Sequence, residues 1–276
     1  MYKVRRCVGK SISFVFKVFM LILFLFPFYW MITTAFKNYQ ESILFPPTLW
    51  PESFSFHAFI DVFQRIDMLY YFRNSALVAL GVVVLQALIN VPAAYGFARY
   101  NFKGKKPMWA LVMLAFMIPT QITFVPVYIM FSKANLLGTL WPQILPFAAN
   151  AYGIFLMRQS FMQVPDELVE SARMDNAGEI KIMLKVMLPM SKSSIITAEM
   201  FSFISTWNSY FWPLVMTNAD EVRPITLAMQ RLQDANQGLE WPVLMAGNTM
   251  VVLPILILFI VLNKQILSPF GYKGIK

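Results

Sequence analysis

Charge is absent from six long stretches of this chain, and their lengths leave few folds open. Between Lys17 and Lys37 lie 19 uncharged residues, and between Arg73 and Arg99 lie 25. Lys106 to Lys133 encloses 26, and Lys133 to Arg158 encloses 24. Lys192 to Asp220 encloses 27 residues with one exception, Glu199, and Glu240 to Lys264 encloses 23. A helix rises about 1.5 Å per residue and must cross about 30 Å of hydrocarbon, so about 20 residues suffice. Backbone groups in lipid must be paired within their own segment, which helices achieve. The expected fold is therefore all-α and polytopic, a single transmembrane domain over residues 1–276. Its spans are expected at about 12–36, 73–99, 107–132, 138–160, 190–217 and 242–265.

Composition agrees. Of the 276 residues, 58% are hydrophobic and 13% charged, where a soluble domain carries about 25% charged. The first apolar run is too long for a signal peptide, and no small-residue cleavage site follows it, so it reads as an uncleaved span. The single cysteine, Cys7, permits no internal disulfide.

The net charge of +9 is accounted for by where the basic residues fall. With the N-terminus in the cytoplasm, six spans return the C-terminus there. The inner segments then hold 17 of the 23 Lys and Arg residues, and the outer ones 6. That asymmetry is the positive-inside pattern. It makes the basic excess a matter of topology and argues against nucleic acid as a partner.

The main inner loop breaks the apolar pattern. "VPDELVESARMDNAGEIKIMLKVMLPM", Val164 to Met190, carries charge at helical spacing. Pro165, Asp166 and Glu167 suit a first helical turn, where Pro is tolerated and acids meet the positive end of the dipole. Val169, Ala172 and Arg173 share a face, and Glu170 can pair with Arg173 at i, i+3. Asn176 and Gly178 accept conformations that end helices. Beyond them Ile180, Met183, Leu184, Met187 and Leu188 recur at helical spacing, with Lys181 and Lys185 opposite. This pattern fits a helix pair resting on the headgroups, and equally a rigid element that transmits force between spans.

Few residues suggest chemistry. No G-x-x-x-x-G-K-[ST] phosphate loop is present, so the chain is not expected to hydrolyse ATP. His57 is the only histidine and falls in an outer loop, which argues against a metal or protease site. No catalytic residue is assigned. Glu199 lies about ten residues into the fifth span, where an ionisable group is costly and points to a water-filled path or a polar partner. In "STWNSYFWP", Trp207 and Tyr210 offer faces to sugar C–H groups and Asn208 an amide, although aromatics here also suit an interface belt.

The order Glu170-Ser171-Ala172, Asp175, Ala177-Gly178, then Leu188-Pro189 resembles the EAA loop of ABC importer permeases. Ser171 stands where Ala is usual and Asn176 where Gly is usual. "GFARYNFKGKK", "MIPTQITFVPVYIMF", "LLGTLWPQILP", "GIFLMRQSFMQVPDELVESA" and "STWNSYFWPLV" look like the carbohydrate-uptake (maltose-type) family, and specifically its shorter six-span subunit. The resemblance implies a type I ABC importer permease fold in a bacterial inner membrane, with both termini cytoplasmic. It implies pairing with a second homologous permease, two copies of a cytoplasmic ABC ATPase that hold ATP and Mg, and an extracytoplasmic solute-binding protein. The chain itself is expected to bind no cofactor and no metal. Residues 164–189 would be coupling helices seated in an ATPase cleft. Glu170 would meet the ATPase, Ala172, Asp175 and Gly178 would shape the bend, and Leu188 and Pro189 would lead into span five. The outer loop from Thr217 to Trp241 matches the one that probes the binding protein's sugar site, with Gln233, Asn236 and Gln237 as its tips. The family's usual residue near Glu199 is uncharged, so the resemblance gives Glu199 no role. An ion-driven secondary transporter is the alternative; it needs paired intramembrane charges, and Glu199 is the sole candidate.

Overall fold

The computed structural model describes residues 2–233 and 239–267, with side chains described for 13–233 and 239–265. Among the described residues the chain is helical, with no strand. In order come α1 (Tyr2–Ala35), α2 (His57–Arg65), α3 (Met68–Arg99), α4 (Lys105–Met117), α5 (Thr120–Lys133), α6 (Ala151–Met162), α7 (Asp166–Met174), α8 (Glu179–Ile182), α9 (Lys192–Trp207), α10 (Phe211–Met216) and α11 (Trp241–Leu267), joined by shorter turns.

Three of the six uncharged stretches form continuous helices long and apolar enough to cross a membrane: Ser13–Ala35 within α1, α3, and Trp241–Gln265 within α11. The other three are interrupted, and the interruptions follow from identifiable residues. α4 and α5 meet at a 98° bend. Ile118 precedes Pro119, and the proline ring drives it out of the helical region to φ −78°, ψ 117°. The fourth stretch carries Pro142 and Pro146 in short turns, and a full helix begins only after Asn150. Asn150 caps α6 by accepting the Gly153 N–H at 3.1 Å. The fifth divides at Asn208-Ser209-Tyr210 into α9 and α10.

The chain clusters into two compact units, Met1–Met68 with Ala228–Leu253 and Leu69–Leu227 with Pro254–Lys276. In the first, none of the apolar window of α1 is buried. The loop after α1 turns its polar groups inward: Lys37 donates to the Thr48 carbonyl and lies 4.8 Å from the Trp30 ring, while Glu41 accepts from the Thr48 hydroxyl at 2.8 Å. Gly247 of α11 lies so close to the turn Met229–Leu232 that an added Cβ would stand 2.5 Å from Met229 Cε.

The core of the second unit gathers at the end where α3 and α6 finish. Tyr95 and Phe97 of α3, Met157 and Phe161 of α6, Val169 of α7, Ile182 of α8 and Met187 beyond it are all buried together. α9 packs along α6. This cluster fixes the segment between α6 and α9 against the bundle.

Candidate docking segment and polar cavity

The segment from Val164 to Met190 is built from short pieces, each with a local cause. Pro165 is extended (φ −56°, ψ 137°) and starts α7, whose first turn holds Asp166 and Glu167. α7 ends in a Schellman motif. Asn176 adopts the left-handed conformation at φ 52°. Its N–H donates to the Arg173 carbonyl, and the Ala177 N–H to the Ala172 carbonyl, both at 3.0 Å. Ala172 and Ala177, the residues such a motif brings into contact, both pack on the buried core. Gly178 has a different place from the one its residue type suggested: it is extended (φ −66°, ψ 154°) and begins α8, so the turn belongs to Asn176 alone.

After α8 the helix widens into a π turn over Met183–Met187, followed by Leu188–Met190. Pro189 explains this. It has no N–H to offer the carbonyl four residues back, and its ring crowds that carbonyl, so the turn before it opens.

Two polar clamps tie the segment to the end of α3. Arg99 donates to Asp166 and to the carbonyls of Phe161, at 2.7 Å, and Val164, closing the last turn of α6 and the first of α7 together. At the other end Glu179 accepts from the Tyr95 hydroxyl at 2.5 Å and from Arg173 Nε at 3.0 Å. The Tyr95 hydroxyl, with Tyr100 and Arg173 adding, holds the Glu179 carboxyl down at about 2. Arg173 thus pairs with Glu179 rather than with Glu170, because Tyr95 already fixes Glu179 in place. Arg158 adds a third contact, 4.3 Å from the Trp109 ring with Nε on the Phe97 carbonyl.

The clamps leave one side of the segment free. Glu170, Ser171 and Asp175 are exposed and carry no ion pair among the described residues. So are large apolar side chains, with Met174 85% and Ile180 72% exposed and Leu184 half exposed. Leu188 packs on the core and Pro189 is exposed. Met174, Ile180 and Leu184 add exposed apolar surface beside the residues the loop motif marks. Their signal in the sequence was apolar residues set among charges.

A second feature runs along α9. Ser202, Ser205, Thr206 and, just past the helix, Ser209 recur at i, i+3, i+4, i+7. They line two adjoining cavities of about 60 and 230 Å³ that share Phe147, Ser205 and Thr206. The smaller also holds Ser75, Gln143 and Trp212; the larger holds Gln86, Asn150, Tyr152 and Gly153. Gly153 packs closely here: an added Cβ would lie 2.9 Å from Asn90 Nδ2.

The residues singled out for a substrate path do not line these two cavities. Trp207 is buried, stacked on Phe203 at 5.6 Å and tilted on Phe72 at 5.7 Å. Asn208 ends α9 and is exposed, as is Tyr210. Glu199 borders a separate cavity of about 180 Å³ walled by Leu80, Val83, Ile196, Met200, Phe203, Leu258 and Leu262. Both its carboxylate oxygens are shielded and without a hydrogen-bond partner among the described residues. Gln233 is exposed at the end of the turn Met229–Leu232, and Asn236 and Gln237 lie outside the described residues.

A family model described as "Binding-protein-dependent transport system inner membrane component" matches residues 90–267. This chain belongs to that family. Among similar permeases is the probable ABC transporter permease protein YurM of Bacillus subtilis, 30% identical over 98% of this chain and 89% of that one. Another is the arabinooligosaccharides transport system permease protein AraQ of Halalkalibacterium halodurans, 29% identical over 96% and 95%. The fold matches a chain in the crystal structure of a bacterial ABC transporter involved in the import of the acidic polysaccharide alginate. That match has a TM-score of 0.83 and 22% identity, covering 94% of this chain and 96% of that one. In a transport component of this family, the clamped segment and the hydroxyl-lined cavity are the two features that depart from simple membrane packing.

Proposed function

We propose that this chain is one permease subunit of an ABC importer for a carbohydrate, an oligosaccharide or related sugar. It crosses the inner membrane six times with both termini in the cytoplasm. A second homologous permease completes the pathway, and an extracytoplasmic binding protein delivers the sugar, with Gln233, Asn236 and Gln237 probing it. Two cytoplasmic ATPases hold ATP and Mg, and each takes a permease's inner segment into a cleft. Relatives that carry sugar names, AraQ among them, support the substrate class.

The observation that carries the docking reading is the segment's inverted surface. Asp166, Arg173 and Glu179 are spent in the clamps to α3, while Met174, Ile180 and Leu184 stand out beside free Glu170. A loop meeting water alone keeps such side chains covered; a protein cleft covers these. Glu170 meets the ATPase, and Ala172, Asp175 and Asn176 with Gly178 set the bend angle. Leu188 and Pro189 pass the displacement into α9. ATP binding brings the two ATPases together, the gripped segments move, and access switches from one side to the other.

Glu170→Arg tests this. Sugar uptake and sugar-stimulated ATP hydrolysis are expected to be lost while the protein still inserts in the membrane. Normal uptake by that variant removes the docking claim.

A further inference from the structure

The loop between α1 and α3 wears its surface inside out, and docking to an ATPase does not account for it. Its polar groups point inward. Lys37 and Glu41 are both buried, and the Glu41 carboxylate accepts from the Thr48 hydroxyl at 2.8 Å and from the Glu52 N–H at 3.0 Å. Its apolar groups point outward: Phe45 is 95% exposed, and Leu49, Trp50 and Phe56 are each more than half exposed. α2 continues the pattern with two apolar sides. Ala58 and Val62 are buried, while Phe56, Ile60 and Phe63 recur at i, i+4, i+7 on the opposite side and stay exposed. So much outward apolar surface marks a contact.

The loop is held in a definite place. The Tyr29 hydroxyl of α1 donates to the Leu49 carbonyl at 2.7 Å, and the Ser55 N–H donates to the Phe36 carbonyl at 2.9 Å. The Phe36 ring packs on Phe54, Phe56 and Phe59 with centroids 5.1–5.8 Å apart. Tyr29 stands six residues before Ala35, the end of α1, which is about 9 Å back along the helix. Leu49 and Trp50 therefore fold back beside α1, at a depth where its membrane-spanning stretch continues and none of its apolar window is buried. Lipid covers α1 at that depth, and Tyr and Trp favour the boundary there. The outward face of the loop is continuous with that lipid-covered surface. Charge tells what kind of contact it makes. Between Lys37 and Arg65 the sequence has no Lys or Arg, only Glu41, Glu52 and Asp61, so nothing there attracts an anionic headgroup.

We infer that this loop is a membrane-interface anchor: Phe45, Leu49, Trp50 and the Phe56–Ile60–Phe63 stripe sit in the headgroup layer of the leaflet at the C-terminal end of α1. α2 lies along the surface with this stripe toward the acyl chains and Gln64 toward water. The attachment is apolar and therefore indifferent to headgroup charge and to salt. It fixes the level of what the loop holds, which is α1 through Tyr29 and, through the Arg65–Glu240 ion pair at 2.7 Å, the residue before α11.

The anchor depends on α1 crossing the membrane and not on what the importer carries. Cys7 is the single cysteine, so Cys7→Ser gives a background for Phe45→Cys, Phe63→Cys and Gln64→Cys, all at exposed positions where the change costs little packing. Each is labelled with an environment-sensitive fluorophore in the complete importer in nanodiscs, with the labelled Cys7→Ser importer as the blank. At 45 and 63, quenching by phospholipid spin-labelled near its headgroup is expected to exceed quenching by iodide about twofold or more, and at 64 to fall below it. These ratios should hold in zwitterionic and anionic bilayers and at low and high salt. Iodide quenching at 45 and 63 equal to that at 64 overturns the anchor. So does shielding from both quenchers, which would mean that protein covers the loop, and so does lipid contact that is lost when a solute-binding protein is added or that is confined to anionic bilayers.

Discussion

The segment between α6 and α9 and the cavities beside α9 treat polar groups in opposite ways. In the segment, Tyr95, Arg173 and Glu179 pair with one another and Arg99 pairs with Asp166 and nearby carbonyls, while Met174, Ile180 and Leu184 stand outside beside the exposed Glu170 and Asp175. Along α9, Ser202, Ser205 and Thr206 line the two cavities, and beside them the buried Gln143 oxygen has no partner among the described residues. Paired charges stiffen the segment where it meets α3. Beside α9 hydrogen-bonding capacity is left unspent. The two lie on one continuous stretch of chain, from Asp166 to Ser209.

The comparison breaks most readily at Arg99. Arg99→Ala leaves the carbonyls of Phe161 and Val164 without their charged donor, and each such bond contributes about 1.5–3 kcal/mol. Amide hydrogen exchange of residues 161–176 is expected to rise by on the order of a hundredfold or more. Unchanged exchange would mean that the core alone fixes the segment. On the cavity side, Gly153→Val brings a side chain against Asn90, at a cost of roughly 1–3 kcal/mol in melting experiments. Because it fills the larger cavity, sugar uptake should fall more than the melting temperature implies.

Acid sharpens the contrast. The Glu179 carboxyl is held at about 2 against an ordinary 4.5. A depressed carboxyl stabilises fully above its ordinary value and loses that contribution as pH falls toward the depressed one. Protection of the amides of residues 173–182, relative to their intrinsic exchange rates, should therefore fall as pH drops from about 4.5 to about 2, and Glu179→Gln should abolish that loss. The smallest effect is expected at Asn176. Asn176→Ala costs about 1 kcal/mol at its left-handed φ of 52°, whereas Asn176→Gly should change the melting temperature little.

Much of this was legible beforehand. The uncharged stretches marked the apolar helices, and the segment's bend was visible in "DNAG". What the stretches did not reveal was continuity. Proline counts as apolar in such a reading, so Pro119, Pro142 and Pro146 passed unremarked, although each ends or redirects a helix. Both clamps were invisible because their partners stand far apart in sequence: 62 residues from Arg99 to Phe161 and 84 from Tyr95 to Glu179. The serine stripe was readable at helical spacing, at Ser202, Ser205, Thr206 and Ser209. Gln143 offered no signal at all, since a lone amide in an apolar run acquires meaning only when its neighbours are known.

The wide turn before Pro189 has one more consequence. Each residue advances an α-helix by about 100°, and a π turn accommodates one residue more than an α turn does. It therefore acts as a phase shifter, setting the azimuth of everything downstream. Without that surplus residue Ser202, Ser205 and Thr206 would swing by roughly a quarter of a revolution relative to Ile180 and Leu184. The azimuth of the hydroxyl stripe relative to the exposed apolar side chains is thus set in part by one imperfection, five residues long.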